Sequence, residues 1–240
     1  MSLNRTQLMI GGVAAVAIIT VGAYFMTSRP DETGGTLLQA TEAPAEAASG
    51  ASTDTVAADL NYDPDSPLMV AGPLGERGLG DPNAPNVVIE YASLTCSHCR
   101  AFHEEVYEDF KEKYVDTGEV YFIMREFPLD PLASAAVMLA RCVPEQRYFP
   151  VIDLLFAQQR RWAFVEQPVI ALRSLVGQAG ISDEDFQACL TNQEILDGVT
   201  WVKDRGASEF GVNSTPTFFI NGESRRGVQR LEDFDAMLGG

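Results

Sequence analysis

The chain has 240 residues, 46% of them apolar and 21% charged, so it is long and apolar enough to bury a globular core. Acidic residues outnumber basic residues 34 to 17 and give a net charge of −17. This argues against nucleic acid or anionic lipid as a main partner, because both bind surfaces rich in Lys and Arg. Four cysteines are too few for a disulfide scaffold in a chain of this length, so each is interpreted by its surroundings.

An uncharged apolar run of 19 residues extends from Leu8 to Met26. As a helix it would be about 28 Å long, close to the thickness of the hydrocarbon core of a bilayer. Arg5 precedes the run, which favours keeping that end inside. We therefore expect residues 1–26 to form one transmembrane helix that anchors the chain. The alternative is a cleaved signal sequence, and both interpretations place the rest of the chain outside the cytoplasm.

Residues 27–75 are rich in Ala, Glu, Ser, Thr, Pro and Gly, and Tyr62 is their only aromatic residue. Such a segment buries too little apolar surface to offset its conformational entropy. It also contains eight acidic residues and only one basic residue, and the acidic residues repel one another. We therefore expect a disordered acidic linker, with a root-mean-square span of roughly 40 Å.

The remaining residues, 76–240, are predicted to form one α/β domain. Residues 86–91 form a β-branched run that indicates a buried strand. Apolar residues at helical spacing predict a helix from Ser97 to about residue 114, and residues 119–124 predict a second strand. Strand, helix and strand within about forty residues form a βαβ unit.

A long stretch of helical character follows, at about residues 131–210, and Pro and Gly residues divide it into several helices. Residues 217–220 then predict a strand, and Asn221-Gly222 is a strong hairpin signal before a return strand at 223–226. A short amphipathic helix closes the chain. The pattern is therefore βαβ, a helical insertion, and ββα.

Two cysteines three positions apart, Cys96 and Cys99, stand at the exit of the first strand and the entry of the first helix. The amide groups and positive dipole end of a helix stabilise a thiolate, so Cys96 is the predicted nucleophile and Cys99 the resolving thiol. The alternative is a metal site that adds His98 or His103. A structural zinc site needs four ligands and usually a second close pair, which the sequence lacks, so we expect no metal and no cofactor.

Around these residues the sequence resembles the DsbA-like branch of the thioredoxin superfamily, including alpha-proteobacterial-type relatives. The similar segments are EYASLTCSHCRAFH around the dithiol and GVNSTPTFFING downstream, together with the helical insertion between them. The resemblance covers most of residues 76–240. It implies a thioredoxin fold with a helical insertion between its βαβ and ββα halves, and thiol–disulfide chemistry.

The resemblance also implies roles for residues near the dithiol. Pro216 corresponds to the family's cis-proline, which presents backbone to a substrate peptide, and Thr215 to the specificity position before it; the alternative for Pro216 is a strand-edge proline. His98 corresponds to a histidine that stabilises the thiolate, and the alternative is an exposed helix-entry residue. Ser97 departs from the proline of the best-known members, and this dipeptide tunes the redox potential.

Glu90 is a carboxylate within an apolar strand, six residues before Cys96. In the resemblance it is an acid that handles protons beneath the active site, and the alternative is a strand-end glutamate that reaches solvent. Once the dithiol is assigned, Cys142 and Cys189 remain. The resemblance and an oxidising compartment favour a structural disulfide between them, and the alternative is a pair of buried free thiols.

The predicted function is a dithiol oxidase that introduces disulfides into cysteine-containing secreted or periplasmic proteins. A membrane partner would reoxidise or reduce the dithiol, and the N-terminal helix would hold the domain at the periplasmic side of a bacterial inner membrane. One alternative is a reductase or isomerase on the same fold, since Thr215 before the proline also occurs in isomerase-like relatives. Another is a redox-inactive envelope-binding or chaperone module.

Overall fold

The computed structural model describes residues 60–239. The predicted anchor, residues 1–26, and the linker up to residue 59 lie outside the described residues. Within residues 60–239 no helix is both long and apolar enough to cross a membrane.

The strands are β1 (Gly78–Leu79), β2 (Asn86–Ala92), β3 (Val120–Glu126), β4 (Thr217–Ile220) and β5 (Glu223–Arg226). The helices are α1 (Ser97–Glu105), α2 (Tyr107–Phe110), α3 (Pro131–Cys142), α4 (Tyr148–Ala157), α5 (Gln159–Trp162), α6 (Pro168–Gln178), α7 (Asp183–Leu190), α8 (Gln193–Glu209) and α9 (Leu231–Leu238).

The five strands form one sheet in the order β1-β3-β2-β4-β5. Strand β2 is parallel to β3 and antiparallel to β4, and β4 turns into β5 through the predicted hairpin. At this turn Asn221 and Gly222 both have positive φ, 49° and 90°, which a two-residue hairpin of this kind requires. The predicted thioredoxin fold, with helices α3 to α8 inserted between its βαβ and ββα halves, is confirmed.

Every residue of β2 is buried, because elements cover both faces of the sheet. Val88 and Ala92 belong to the larger apolar cluster, which includes α1 and the insertion, whereas Val87, Ile89 and Tyr91 belong to a second cluster on the opposite face. Since successive side chains of a strand point to opposite faces, the even-numbered positions of β2 face α1. Every second side chain of the central strand β2 is therefore directed toward α1.

The predicted helix 97–114 is correct in its buried positions but not in its continuity. Phe102 and Phe110 are both fully buried, as the apolar spacing predicts. The helix nevertheless breaks at Val106, which has non-helical dihedral angles of −131° and −36°, and the chain continues as α2 and a π-helical turn at Lys111–Val115. No Pro or Gly marks this bend in the sequence. The period of apolar residues survives the break and so does not reveal it.

The linker prediction is wrong for residues 60–75, which pack on the folded domain. Leu68 is buried, and the Arg205 guanidinium donates a hydrogen bond of 2.9 Å to the Val70 carbonyl. Leu74 fits against Gly198 of α8, where a Cβ atom would lie 2.4 Å from the Leu74 Cγ atom. The segment is held by backbone hydrogen bonds and close fit more than by large apolar side chains. Composition alone therefore underestimates its order.

Two smaller features complete the frame. Strand β1, which the sequence analysis did not predict, adds only two residues to the sheet edge beside β3. In the insertion, Cys142 at the end of α3 and Cys189 in α7 form a disulfide bond, with their Cα atoms 6.0 Å apart. The bond joins two helices that are separated by 47 residues in the sequence.

Candidate active site

The dithiol lies where β2 leaves the sheet and α1 begins. Cys96 is the N-cap residue of α1, with extended dihedral angles of −78° and 122°, and its side chain is partly exposed. Cys99, in the first turn of α1, is completely buried, and both cysteines are free. One sulfur therefore faces solvent and the other faces the core.

Several hydrogen bonds stabilise the Cys96 thiolate and lower the pKa of Cys96 to about 5. The largest contribution is a hydrogen bond from the Cys99 thiol, which outweighs the opposing effect of burial. The amide groups of His98 and Cys99 contribute further hydrogen bonds, and the Thr215 hydroxyl contributes another once Cys96 is ionised. These amides belong to the first turn of α1, where free N–H groups and the helix dipole favour a negative charge. At neutral pH Cys96 is therefore a thiolate.

Cys99 has the opposite environment. Burial raises the pKa of the Cys99 thiol well above its ordinary value, and its hydrogen bond to Cys96 and the charge of Glu90 add to this effect. A buried thiol that donates to a neighbouring thiolate is protected from reagents in solution. The two cysteines thus differ in both charge and access.

The segment Thr215–Pro216, in a loop 119 residues after Cys96, completes the site opposite the dithiol. The Thr215–Pro216 peptide bond is cis, and the Cys96 thiol donates a hydrogen bond of 3.2 Å to the Thr215 carbonyl. The Thr215 hydroxyl is buried and, among the described residues, has no hydrogen-bond partner in this dithiol form. It is therefore free to donate to Cys96 when the thiol ionises.

Ser97 and His98 are both exposed. Among the described residues the His98 ring makes no hydrogen bond, and its backbone amide is what contributes to the low pKa of Cys96. The role expected for the His98 ring therefore stays a prediction.

Glu90 does not reach solvent. Its side chain is completely buried on the face of β2 that meets α1, and one carboxylate oxygen lies 2.9 Å from Nε2 of His103. The strand-end alternative for Glu90 is thus wrong. No role in thiol chemistry was expected for His103 from the sequence, whereas the structure places it beside Glu90, the buried acid of β2.

Gln159, in α5 of the insertion, also escaped the sequence analysis. It is completely buried, and its side-chain amide donates hydrogen bonds of 2.8 Å to the Leu94 carbonyl and 2.9 Å to the Cys96 carbonyl. These bonds fix the loop that carries the nucleophile. No local pattern marks such a residue, because its partners lie more than sixty positions earlier in the sequence.

Comparisons with known proteins agree with this geometry. A family model described as Thioredoxin matches residues 74–239. Wolbachia pipientis alpha-DsbA1, in its crystal structure, is 30% identical, with a TM-score of 0.65 over 72% of this chain and 95% of that chain. The chain belongs to the DsbA-like family of the thioredoxin superfamily.

Other relatives of this DsbA-like chain differ in coverage. A Rickettsia conorii protein, whose assigned function of protein-disulfide oxidoreductase is itself inferred, is 31% identical over 60% of this chain and 52% of its own length. The chain thus matches about half the length of that curated relative. A Novosphingobium aromaticivorans protein-disulfide isomerase, 23% identical, shares the fold with a TM-score of 0.63 over 71% of this chain and all of that one.

We expect the alkylation rate of the DsbA-like dithiol to rise with pH and to be half-maximal near pH 5, since the thiolate is the reactive form and the pKa of Cys96 is lowered to about 5. Iodoacetamide labelling of the reduced protein, followed by peptide mapping, measures this rate. Label on Cys99 below pH 8 would contradict the assignment. A His98→Ser variant in the same titration tests the role of the His98 ring. If the ring stabilises the Cys96 thiolate, removing it should raise the pH at which alkylation is half-maximal.

Proposed function

We propose that the chain is a dithiol oxidase that transfers the disulfide between Cys96 and Cys99 to cysteine-containing secreted or periplasmic proteins. The unequal environment of the two sulfurs carries the proposal. Cys96 is accessible and its thiolate is stabilised, with a pKa of about 5, whereas Cys99 is buried. A stable thiolate favours the reduced protein, and this makes the corresponding disulfide a strong oxidant.

The reaction is a two-step exchange. A substrate thiolate attacks the Cys96 sulfur, the bond between Cys96 and Cys99 breaks, and Cys99 leaves with the electron pair and takes up a proton. A second substrate thiolate then attacks the substrate sulfur of the mixed disulfide and releases Cys96 as a thiolate. Two electrons pass from the substrate to the protein, and a membrane redox partner later removes them.

The backbone around Thr215 and Pro216 is the proposed site for the substrate peptide. The Thr215 carbonyl lies within 3.2 Å of the Cys96 sulfur, so a peptide paired with this backbone would bring its own cysteine to Cys96. An extended peptide gains affinity from main-chain hydrogen bonds, and such binding tolerates many sequences. That property suits an oxidase with many substrates.

A reductase or isomerase on the same fold is the second candidate, and Thr215 before the cis-proline is the feature that favours it. Isomerases of this kind usually carry a folded dimerisation domain before the catalytic domain. Here residues 60–75 pack against the catalytic domain itself, so they do not serve as such a domain. A redox-inactive binding module does not account for a free dithiol with one activated sulfur.

We also propose that residues 1–26 direct the domain to the periplasm, as its anchor or its signal sequence.

The equilibrium redox potential of the Cys96–Cys99 couple, measured against glutathione, tests this proposal. We expect a value near the oxidising end of the superfamily, about −120 mV. A Glu105→Gln variant is the matched control, because Glu105 is exposed on α1 and lies outside the dithiol and its dipeptide. A potential near the reducing end, about −270 mV, would contradict the oxidase and favour a reductase.

A further inference from the structure

Two buried polar side chains that contact each other, Glu90 and His103, lie beneath the dithiol. Glu90 is on β2, and His103 follows Cys99 by four residues on α1, so Cys99 and His103 lie on the same face of the helix. The Glu90 side chain is 0% exposed and the His103 side chain 3% exposed. The second carboxylate oxygen of Glu90 and Nδ1 of His103 are buried without a hydrogen-bond partner among the described residues. Each side chain thus has one polar atom, Oε1 of Glu90 and Nδ1 of His103, that is free to bind or exchange a proton.

Cys99 needs a route for protons, because its side chain is shielded from solvent. Its side chain is completely buried, and the charge of Glu90 acts on it strongly enough to contribute to its raised pKa. Glu90 is itself cut off from solvent. A proton that moves between Cys99 and solvent through Glu90 must therefore pass through the next polar group, and that group is His103, 2.9 Å away.

His103 lines a cavity to which Glu90 does not contribute. The cavity has a volume of about 200 Å³ and is partly open, and His103, Tyr107, Asp153 and Phe156 contribute to its lining. The His103 ring stacks on Phe156, with ring centroids 4.2 Å apart, which fixes the plane of the imidazole. The ring therefore forms the partition between a buried carboxylate and a space large enough for several water molecules.

We propose that His103 relays protons between Glu90 and this cavity, so that Cys99 gains and loses its proton once in every catalytic cycle. The inference rests on the proposed thiol–disulfide exchange. When a substrate thiolate breaks the disulfide, Cys99 leaves with the electron pair and takes a proton from Glu90, which His103 restores from the cavity. In reoxidation by a disulfide, Cys99 attacks the Cys96 mixed disulfide and its proton leaves along the reverse path. His103 is a positioning residue that acts through Glu90.

Acidic side chains from several elements surround His103. Glu90 faces it from β2, Asp153 from α4, and Glu104 and Glu108 contribute to the cavity lining from α1 and α2. Burial raises the pKa of Asp153 and also that of Tyr107, whose hydroxyl consequently remains neutral. Carboxylates stabilise a proton that arrives on a neighbouring imidazole. Among the described residues the cavity lining contains no Lys or Arg, and Lys111 lies close enough to lower the pKa of Asp153 in part.

The test separates the two chemical steps. The reduced protein is mixed with glutathione disulfide, quenched with acid and resolved by mass. The first step, attack by Cys96, yields the glutathione mixed disulfide, and the second, attack by Cys99, releases glutathione from it. The variant His103→Gln keeps an N–H donor for Glu90, but its amide cannot take up and release a proton as an imidazole does. We expect it to slow the second step about a hundredfold, at the lower end of the range typical of general acid–base catalysis, and to leave the first step unchanged.

Three further measurements make the result specific. Glu105→Gln, at an exposed position on the same helix, is the matched control and is expected to react like the unaltered protein. In His103→Ala, added imidazole is expected to restore the second step, which a purely structural role would not allow, and the unchanged first step reports intact folding. If Cys99 attacks the glutathione mixed disulfide in His103→Gln at the same rate and with the same pH dependence as in the unaltered protein, the relay is wrong. The redox potential is measured separately, so a reducing value would refute the oxidase without refuting the relay.

Discussion

A variant with Cys99 replaced by alanine is expected to accumulate mixed disulfides between Cys96 and substrate proteins and to lose catalytic turnover. Cys96 is the accessible thiolate, with a pKa lowered to about 5, so its attack on a disulfide does not require Cys99. Release of the intermediate does require it, because the buried Cys99 is the only other free cysteine among the described residues. Non-reducing electrophoresis of the Cys99→Ala protein after incubation with an oxidised, cysteine-containing substrate measures the adduct.

The matched control is Cys96→Ala, which leaves only the buried thiol. Burial raises the pKa of Cys99 well above its ordinary value, so this variant is expected to form no adduct at neutral pH. In the Cys99→Ala variant, by contrast, the hydrogen bond that makes the largest contribution to the low pKa of Cys96 is lost. The half-maximal rate of Cys96 alkylation in this variant should therefore be reached above pH 5. Adducts on Cys96→Ala, or none on Cys99→Ala, would reverse the assigned roles.

The sequence predicted those parts of the fold and site that depend on local patterns. The two cysteines and the strand and helix around them lie within about thirty residues, and apolar spacing determines which of their side chains are buried. The position of Thr215 and Pro216 opposite Cys96 came from the resemblance, because spacing along the chain does not reveal contacts across 119 residues. Local chemistry thus predicted the reaction class, and the resemblance supplied the long-range part of the site.

What the sequence did not predict depends on contacts between distant segments. His103 has the same helical spacing as an ordinary packed residue, and only the approach of β2 to α1 brings it to Glu90. Gln159 reaches the Cys96 loop from the insertion. Leu74 lies in a segment of low apolar content, yet its carbonyl accepts a hydrogen bond from Arg141, 67 residues later. Amino-acid composition does not reveal such contacts.

Replacing Arg141 with methionine is expected to lower the free energy of unfolding by roughly 3–5 kcal/mol, the usual cost of leaving one charge of a buried pair without its partner. Arg141 forms a two-pronged ion pair with Glu126, whose side chain is completely buried, and one of the two bonds is 2.8 Å long. Tyr148 also donates to Glu126, at 2.7 Å. The same guanidinium donates to the carbonyls of Leu74 and Gly75, so the substitution also releases the N-terminal segment.

Urea denaturation, with the disulfide intact, measures this loss, and a second variant identifies its cause. The double variant Glu126→Leu, Arg141→Met removes both charges, so it is expected to be more stable than Arg141→Met alone. Burial alone would raise the pKa of Glu126, but Arg141 and Tyr148 lower it below its ordinary value. The stabilisation by Glu126 is therefore fully present above the unfolded-state pKa and is lost as the pH falls through the folded-state pKa. The double variant should lack this part of the acid dependence, and a single variant that loses less than about 1 kcal/mol would show that the pair contributes no more than an exposed one.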